Sequence, residues 1–212
     1  MTPYTQSVEQ SELTEIEQQL NSAPHIQVRM DVDDPFLTGN HQLLTSDRRR
    51  AEICYVMHCG DPQQGVLLHI KRFYPENAYR LPTGGIHQGE RVLETLGREI
   101  EEETGLTVGD APHQVQVQRF LGVVSYALYQ MSEAKLHEFA TYHFLVQMPA
   151  QAGRNPQDED EQIGGWKWLS PDDLNATAAL LETIGDVAPD WADWGRFRAV
   201  SHRAVAEALG RM

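Results

Sequence analysis

The stretch from Glu90 to Thr104 constrains this chain more than any other. It holds no proline, one glycine and many strong helix formers, which predicts a helix, and Gly105 follows as a left-handed cap. At about 100° per residue, Leu93, Leu96, Ile100 and Thr104 fall in one narrow arc that must face a core. Gly97 lies toward the core side, where it would let the helix approach a sheet closely. Glu99, Glu102 and Glu103 share the adjoining arc, because separations of three and four residues stack side chains on one side of a helix. Like charges at that spacing destabilise a bare helix by about 0.2–0.5 kcal/mol per pair and raise one another's pKa, so something should compensate. A hard divalent cation with oxygen ligands would do so, and Arg98 beside the cluster could hold one carboxylate through a bidentate pair. A glutamate-rich helix is often only a solvated face. Glu94 and Glu101, which point away from both arcs, fit that description.

The first 50 residues are polar, with a weak helical signal around Glu12 to Leu20 and then a loop-like run holding Pro24, Asp33, Asp34, Pro35 and Gly39. We read residues 1–50 as an arm packed on one domain that spans residues 51–212. From Ala51, the residues Ile53, Tyr55 and Met57 alternate with Cys54 and Val56. After a turn comes Val66 to Ile70, so two paired strands are expected. Further strands are expected at Val115 to Tyr129, broken by Gly122, at Phe139 to Gln147 and at Trp166 to Leu169. Ser170 with Pro171, Asp172 and Asp173 is a helix start, with a capping hydroxyl and acids near the positive end of the dipole. That helix is expected to run to Ile184. Phe197, Val200, Ala204 and Ala208 predict a last helix within Trp191 to Leu209.

A net charge of -14 argues against polymeric nucleic acid as a partner, since gripping a phosphate backbone needs a dense Lys/Arg face. A smaller phosphate compound is compatible, because a divalent metal inverts the sign of a carboxylate-lined pocket. No apolar run approaches the roughly 18 residues that span a bilayer, and no basic head precedes an apolar segment at the N-terminus. The expectation is a cytoplasmic protein with no membrane partner. Cys54 and Cys59, at an odd separation in a strand-like run, would point to opposite faces and suggest neither a disulfide nor a zinc site.

The run from Gly84 to Leu106 resembles the Nudix signature, G-x5-E-x7-R-E-U-x-E-E-x-G-U with U aliphatic. Every fixed position is filled, by Gly84, Glu90, Arg98, Glu99, Ile100, Glu102, Glu103, Gly105 and Leu106. A pattern constrained at so many places is far more specific than a lone glycine motif. From Ala51 to about Ile184 the order of strands and helices also looks like that family's fold. The resemblance implies an α/β/α sandwich around a mixed β-sheet, here with an N-terminal arm and a C-terminal helix. It implies Glu99, Glu102 and Glu103 as metal ligands for Mg²⁺ or Mn²⁺, a backbone carbonyl near Gly84 as a further ligand, and Glu90 and Arg98 as residues that orient them. It also implies cleavage of a phosphoanhydride bond and a homodimer, which is common in the family. For the group that accepts the proton of the attacking water, Glu99 is the first candidate. Glu161, or Glu159, from the acidic run Asp158 to Glu161 is the second, although such runs are usually solvated.

Lys71, Arg72 and Arg80 precede the box and are candidates for substrate phosphates, though surface ion pairs explain them nearly as well. Arg48, Arg49 and Arg50 read as a strand-edge cluster. Tyr74, Tyr79, Trp166 and Trp168 could stack on a base, with core packing the competing reading for each tryptophan. His87 lies in the box loop, and the other histidines are scattered without ligand spacing. No proline stands at the spacing beyond the box that ADP-ribose hydrolases often carry, and an NADH-type S-Q-P-W-P-F-P run is missing. The expected substrate is therefore a nucleoside diphosphate linked to another group, such as ADP-ribose, a nucleotide sugar or a nucleoside triphosphate. The alternative from another class is a non-catalytic nucleotide-sensing module acting on a protein partner. Such domains often lose box glutamates, and here the box is complete. An isoprenoid diphosphate isomerase on the same fold would need a catalytic cysteine, and neither Cys54 nor Cys59 is near the box.

Overall fold

A computed structural model of the chain describes residues 7–39, 43–44, 50–150 and 152–212. Among these residues seven strands form one mixed sheet. Six of them run in the order β1 (His25–Val32), β5 (Gln116–Gln130), β6 (Lys135–Gln147), β2 (Ala51–His58), β3 (Val66–Lys71) and β7 (Ile163–Leu169). The short β4 (Thr83–Gly85) pairs with β2 off this path. β1 with β5 and β2 with β6 are parallel, whereas β5 with β6 and β3 with β7 are antiparallel. The two strands expected to pair after Ala51 do so only at His58 and Val66. β2 is buried along its whole length, as a central strand covered on both faces must be.

Alternation along β2 sorts its side chains between two apolar layers. Ile53, Tyr55 and Met57 pack with Leu96 and Ile100 of α3 (Val92–Thr104), and Leu13 and Ile16 of α1 (Gln10–Gln19) complete that layer. Cys54 and Val56 face the other way, onto Leu174 of α4 (Pro171–Glu182) and Val205 and Leu209 of α5 (Ala192–Gly210). The result is the expected α/β/α sandwich. Both cysteines are free. Among the described residues no helix is long and apolar enough to cross a membrane.

The loop-like run after Pro24 departs from expectation. His25–Val32 is a strand, β1, in parallel register with β5, and Asp34–Thr38 is a short helix, α2. Only one face of this edge strand packs, so Ile26, Val28 and Met30 are half-buried between exposed polar neighbours. Gly122 does not end β5. It marks a register shift where the chain passes the Pro24 carbonyl, which receives the Val123 N–H at 3.0 Å. Helix α4 starts on Ser170, whose hydroxyl accepts the Asp173 N–H at 3.3 Å, and stops at Glu182. Arg48 and Arg49 lie outside the described residues.

Between the sheet and α5 lie two buried histidines, His143 and His202. The Leu81 N–H donates to His202 Nε2 at 3.2 Å, and His202 Nδ1 lies 2.9 Å from the Arg198 carbonyl. These bonds suit the neutral ring, and a second ring proton would break the first of them. Burial, with Arg80, Arg198 and His143 adding positive charge nearby, pushes His202 down to about 4. Burial does the same to His143, against the Gly122 carbonyl and Glu52. Both folded-state values lie below the ordinary 6.5, so the unfolded chain takes up these protons first as pH falls. Their stabilising contribution is complete above pH 6.5 and is lost toward pH 4, at about 1.4 kcal/mol per pKa unit. Denaturant unfolding measured across that window should show stability falling with acid. His202→Gln should flatten the slope; an unchanged slope would rule His202 out as its source.

Candidate active site

The box helix begins at Val92, two residues later than the sequence pattern placed it, and its entry is held by the N-terminal helix. The buried Glu12 of α1 accepts the Val92 N–H at 2.6 Å, while Glu94 accepts the Arg91 N–H at 3.1 Å and Glu15 pairs with Arg91. A carboxylate at this end satisfies a donor that the first turn leaves open and opposes the positive end of the dipole. Leu96, Ile100 and Thr104 are buried and Leu93 is half-buried, as the wheel predicted, while Glu94 and Glu101 are exposed. Gly105 caps the helix with φ 74°, its N–H bonded to Glu101. Gly97 is different from expectation: a methyl group there would meet nothing within 4 Å, so it is not a point of close approach.

The carboxylates are arranged around one guanidinium. Arg98 Nε and Nη2 donate to Glu90 at 2.8 and 3.1 Å, and Nη1 donates to Glu99 at 2.8 Å and to Glu102 at 2.7 Å. Nη2 also reaches the Gly85 carbonyl at 3.0 Å. Desolvation of Glu90 is outweighed by the Arg98 and His87 N–H hydrogen bonds, which hold it at about 2. Glu103 turns away, into the sheet. It accepts the Tyr55 hydroxyl, Lys71 Nζ is 3.7 Å from its Oε1, and His69 Nδ1 is 3.8 Å from its Oε2. Burial pushes Glu103 up to about 8 despite Lys71 and Arg80, with Glu161 and Glu99 adding to the rise. Glu99 rises to about 7 for the same first reason, against Arg98.

The three helix carboxylates thus divide between two sets of partners. Among the described residues no three His, Cys, Asp or Glu side chains are gathered as an ion-holding group. Arg98 draws Glu99 and Glu102 to itself, and the sheet captures Glu103. The donor set nevertheless fits a hard divalent cation. It offers carboxylate oxygens, two of them on side chains only 5% and 0% exposed, and Glu103 Oε1 is buried without any hydrogen-bond donor.

The acidic run reaches this place. Glu161 accepts from Lys71 Nζ, so one lysine lies between Glu161 and Glu103. Desolvation of Glu161 is outweighed by Lys71, and its carboxyl is held below the usual range. Glu159 is exposed. Arg72 is exposed, with its backbone N–H on the Gln162 carbonyl. Arg80 is 3% exposed and donates to Tyr74, the Leu81 carbonyl and Thr83, so its hydrogen bonds serve the loop that leads into β4. His87 is exposed, 4.0 Å from Glu90. Tyr74 belongs to an aromatic group with Phe73, Trp191 and Trp194, and Lys167 lies over the Tyr79 ring. Trp166 packs against the α3-side core, and Trp168 is 43% exposed.

Sequence reasoning missed Tyr55 and His69. Tyr55 stands in the apolar alternation of β2, and its one polar atom in that row was the available signal. Among the described residues both ring nitrogens of the buried His69 lack hydrogen-bond partners, a fact that no spacing along the chain reveals.

Gly84 sits directly against Glu99: a methyl group there would overlap the Glu99 carboxyl. Gly84→Ala must displace one or the other. A catalytic group misplaced by about 1 Å can cost about 10²-fold in rate, whereas overpacking costs about 1–3 kcal/mol of stability. Steady-state turnover beside a melting curve should show the larger loss in turnover; full activity would mean the Glu99 position is unimportant.

A family model described as NUDIX domain matches residues 47–191. A relative from Erythrobacter litoralis (strain HTCC2594), named RNA pyrophosphohydrolase, is 30% identical over 125 residues, covering 53% of this chain and 72% of that protein. Among solved structures, a C. elegans Ap4A hydrolase binary complex aligns with a TM-score of 0.47 at 17% identity, over 77% of this chain and 99% of that one. The E. coli dihydroneopterin triphosphate pyrophosphohydrolase aligns with a TM-score of 0.42 at 21% identity, over 62% of this chain and 86% of that one.

Proposed function

The chain belongs to the Nudix family of hydrolases, and from that premise we propose that it is a Mg²⁺- or Mn²⁺-dependent enzyme cleaving the phosphoanhydride bond of a nucleoside diphosphate linked to another group. The observation that carries this reading is the pair of buried, under-compensated carboxylates, Glu99 and Glu103, beside Glu161. Carboxylates cost free energy in such a place unless positive charge joins them. A relative named RNA pyrophosphohydrolase supports a pyrophosphate bond as the target.

Glu99, Glu102 and Glu103, with the Gly84 carbonyl, would hold the cation. Once bound, it would shield phosphate charge from the glutamates and lower the pKa of a water poised to attack phosphorus. Arg98 and Glu90 set the direction of Glu99 and Glu102 through four hydrogen bonds. Tyr55 and Lys71 hold Glu103. Glu99 is the first candidate to accept the water's proton, and Glu161, tethered by Lys71, is the second. Arg72, exposed at the end of β3, is available to a substrate phosphate, whereas Arg80 is committed to the protein.

The test is a panel of ADP-ribose, nucleotide sugars, dinucleoside polyphosphates and nucleoside triphosphates, assayed with and without Mg²⁺ or Mn²⁺. Metal-dependent release of phosphate-bearing products from at least one compound is expected. Heavy-oxygen water then shows which phosphorus is attacked. Binding without turnover of any member would overturn the reading.

A further inference from the structure

Building on the hydrolase reading above, we propose that Arg154 is a substrate-binding residue that grips a phosphate of the nucleotide, presented to it on the indole of Trp166. The edge strand β7 pairs with β3 so that Trp166 lies opposite His69 and Trp168 opposite Leu67. Leu67 and Trp166 pack with the α3-side core, which places this stretch of the sheet edge on the same side as the box carboxylates. The Trp166 and His69 rings are 5.6 Å apart, and His69 is the residue 3.8 Å from Glu103. The Arg154 guanidinium carbon lies 5.6 Å from the Trp166 ring centroid. Its loop is fastened to the end of α3, with the Asn155 N–H on the Thr104 carbonyl and the Gln157 N–H on the Glu102 carbonyl, each at 2.8 Å. One continuous line of contacts thus runs from Glu103 through His69 and Trp166 to Arg154.

Arg154 Nε is shielded from water, and among the described residues it has no hydrogen-bond acceptor and no carboxylate lies in ion-pair contact with this guanidinium. The chain has 31 acidic residues, and Arg91, Arg98, Arg196, Arg198, Arg203 and Arg211 each pair with at least one of them. Nε is closed to a ligand as it is to water, so the terminal nitrogens, for which no acceptor stands among the described residues, are the donors left for one. Stacking on an indole keeps the guanidinium oriented and leaves its N–H fork open at the edge, the geometry that matches a phosphate. Arg154 also covers the Trp166 face on which a base would otherwise stack, which favours an anion over a nucleobase here.

The probes are α,β-methylene ADP, whose bridging carbon resists cleavage, inorganic pyrophosphate, and adenosine, each titrated with Mg²⁺ present into wild type, Arg154→Ala and Arg154→Lys. A charge-assisted hydrogen bond lost to alanine should weaken the first two probes by roughly ten- to a hundred-fold, leave adenosine unchanged and be partly restored by lysine. Unchanged melting of both variants confirms that the fold is intact. Wild-type affinity in Arg154→Ala would overturn the proposal, as would an equal loss for adenosine, which would make Arg154 a support for a base platform. Wild-type protein that binds neither phosphate probe would overturn it too. Turnover of the nucleotide panel separates the two readings: cleavage with undiminished binding in Arg154→Ala refutes only the role of Arg154. Binding lost in that variant while wild type cleaves nothing refutes only the hydrolase.

Discussion

Glu103→Gln should lower turnover by about 10²–10⁴-fold while leaving the melting temperature within a few degrees of wild type, a loss in the range of a positioned ionisable group. The side chain is wholly buried, its Oε2 receives the Tyr55 hydroxyl, and its Oε1 has no hydrogen-bond donor. Glutamine keeps the volume and can still accept from Tyr55. What it removes is the capacity to carry a charge that the fold alone does not stabilise, burial having pushed this carboxyl up to about 8, so the folded state loses little by the change. The proposed cation site, in contrast, would lose a ligand that no neighbour replaces. The comparison is kcat against melting temperature on the purified variant. Turnover within threefold of wild type would strike Glu103 from the reacting machinery.

Arg198→Met should give the largest loss of stability. Glu52 of β2 and Arg198 of α5 form a buried pair at 2.6 Å, at 4% and 9% exposure, and Thr141 adds a hydrogen bond to the same Glu52 oxygen at 3.0 Å. Removing one partner leaves a carboxylate without its countercharge inside the sandwich, which costs about 3–5 kcal/mol. At about 2–4 °C per kcal/mol for a chain of this size, the melting temperature should fall by about 6–20 °C. Glu52→Leu combined with Arg198→Met should recover most of the loss, since neither position then leaves a charge without its partner. If the double variant is as unstable as the single one, the pair is valuable for its hydrogen bonds rather than for charge balance. The pair also bears on the site, because Ile53, the next residue of β2, is in register with Gly84.

The parts of the molecule legible in the sequence were those whose cause is local. The apolar arc of α3, its Gly105 cap, the Ser170 start of α4 and the alternation of β2 each follow from a few consecutive residues and held in the fold. The strand β1 was equally local, with Ile26, Val28, Met30 and Val32 alternating with Gln27, Arg29 and Asp31. Its turn-rich neighbours, Pro24, Asp33, Asp34 and Pro35, outweighed that signal. Glu52 and Arg198 carried no such signal, since each is an ordinary charged residue until the two meet across the sandwich.

By itself, the sequence determined which residues the box helix offers and on which of its faces they stand, because helical periodicity is a property of neighbours along the chain. Only the tertiary structure decided what those residues touch: Arg98 gathering Glu90, Glu99 and Glu102, the sheet turning Glu103 toward Tyr55 and His69, and Lys71 tethering Glu161. The physical reason is that charge balance and burial depend on distances through space. Residues as far apart in sequence as Lys71 and Glu161 share one site only after β3 and β7 have paired.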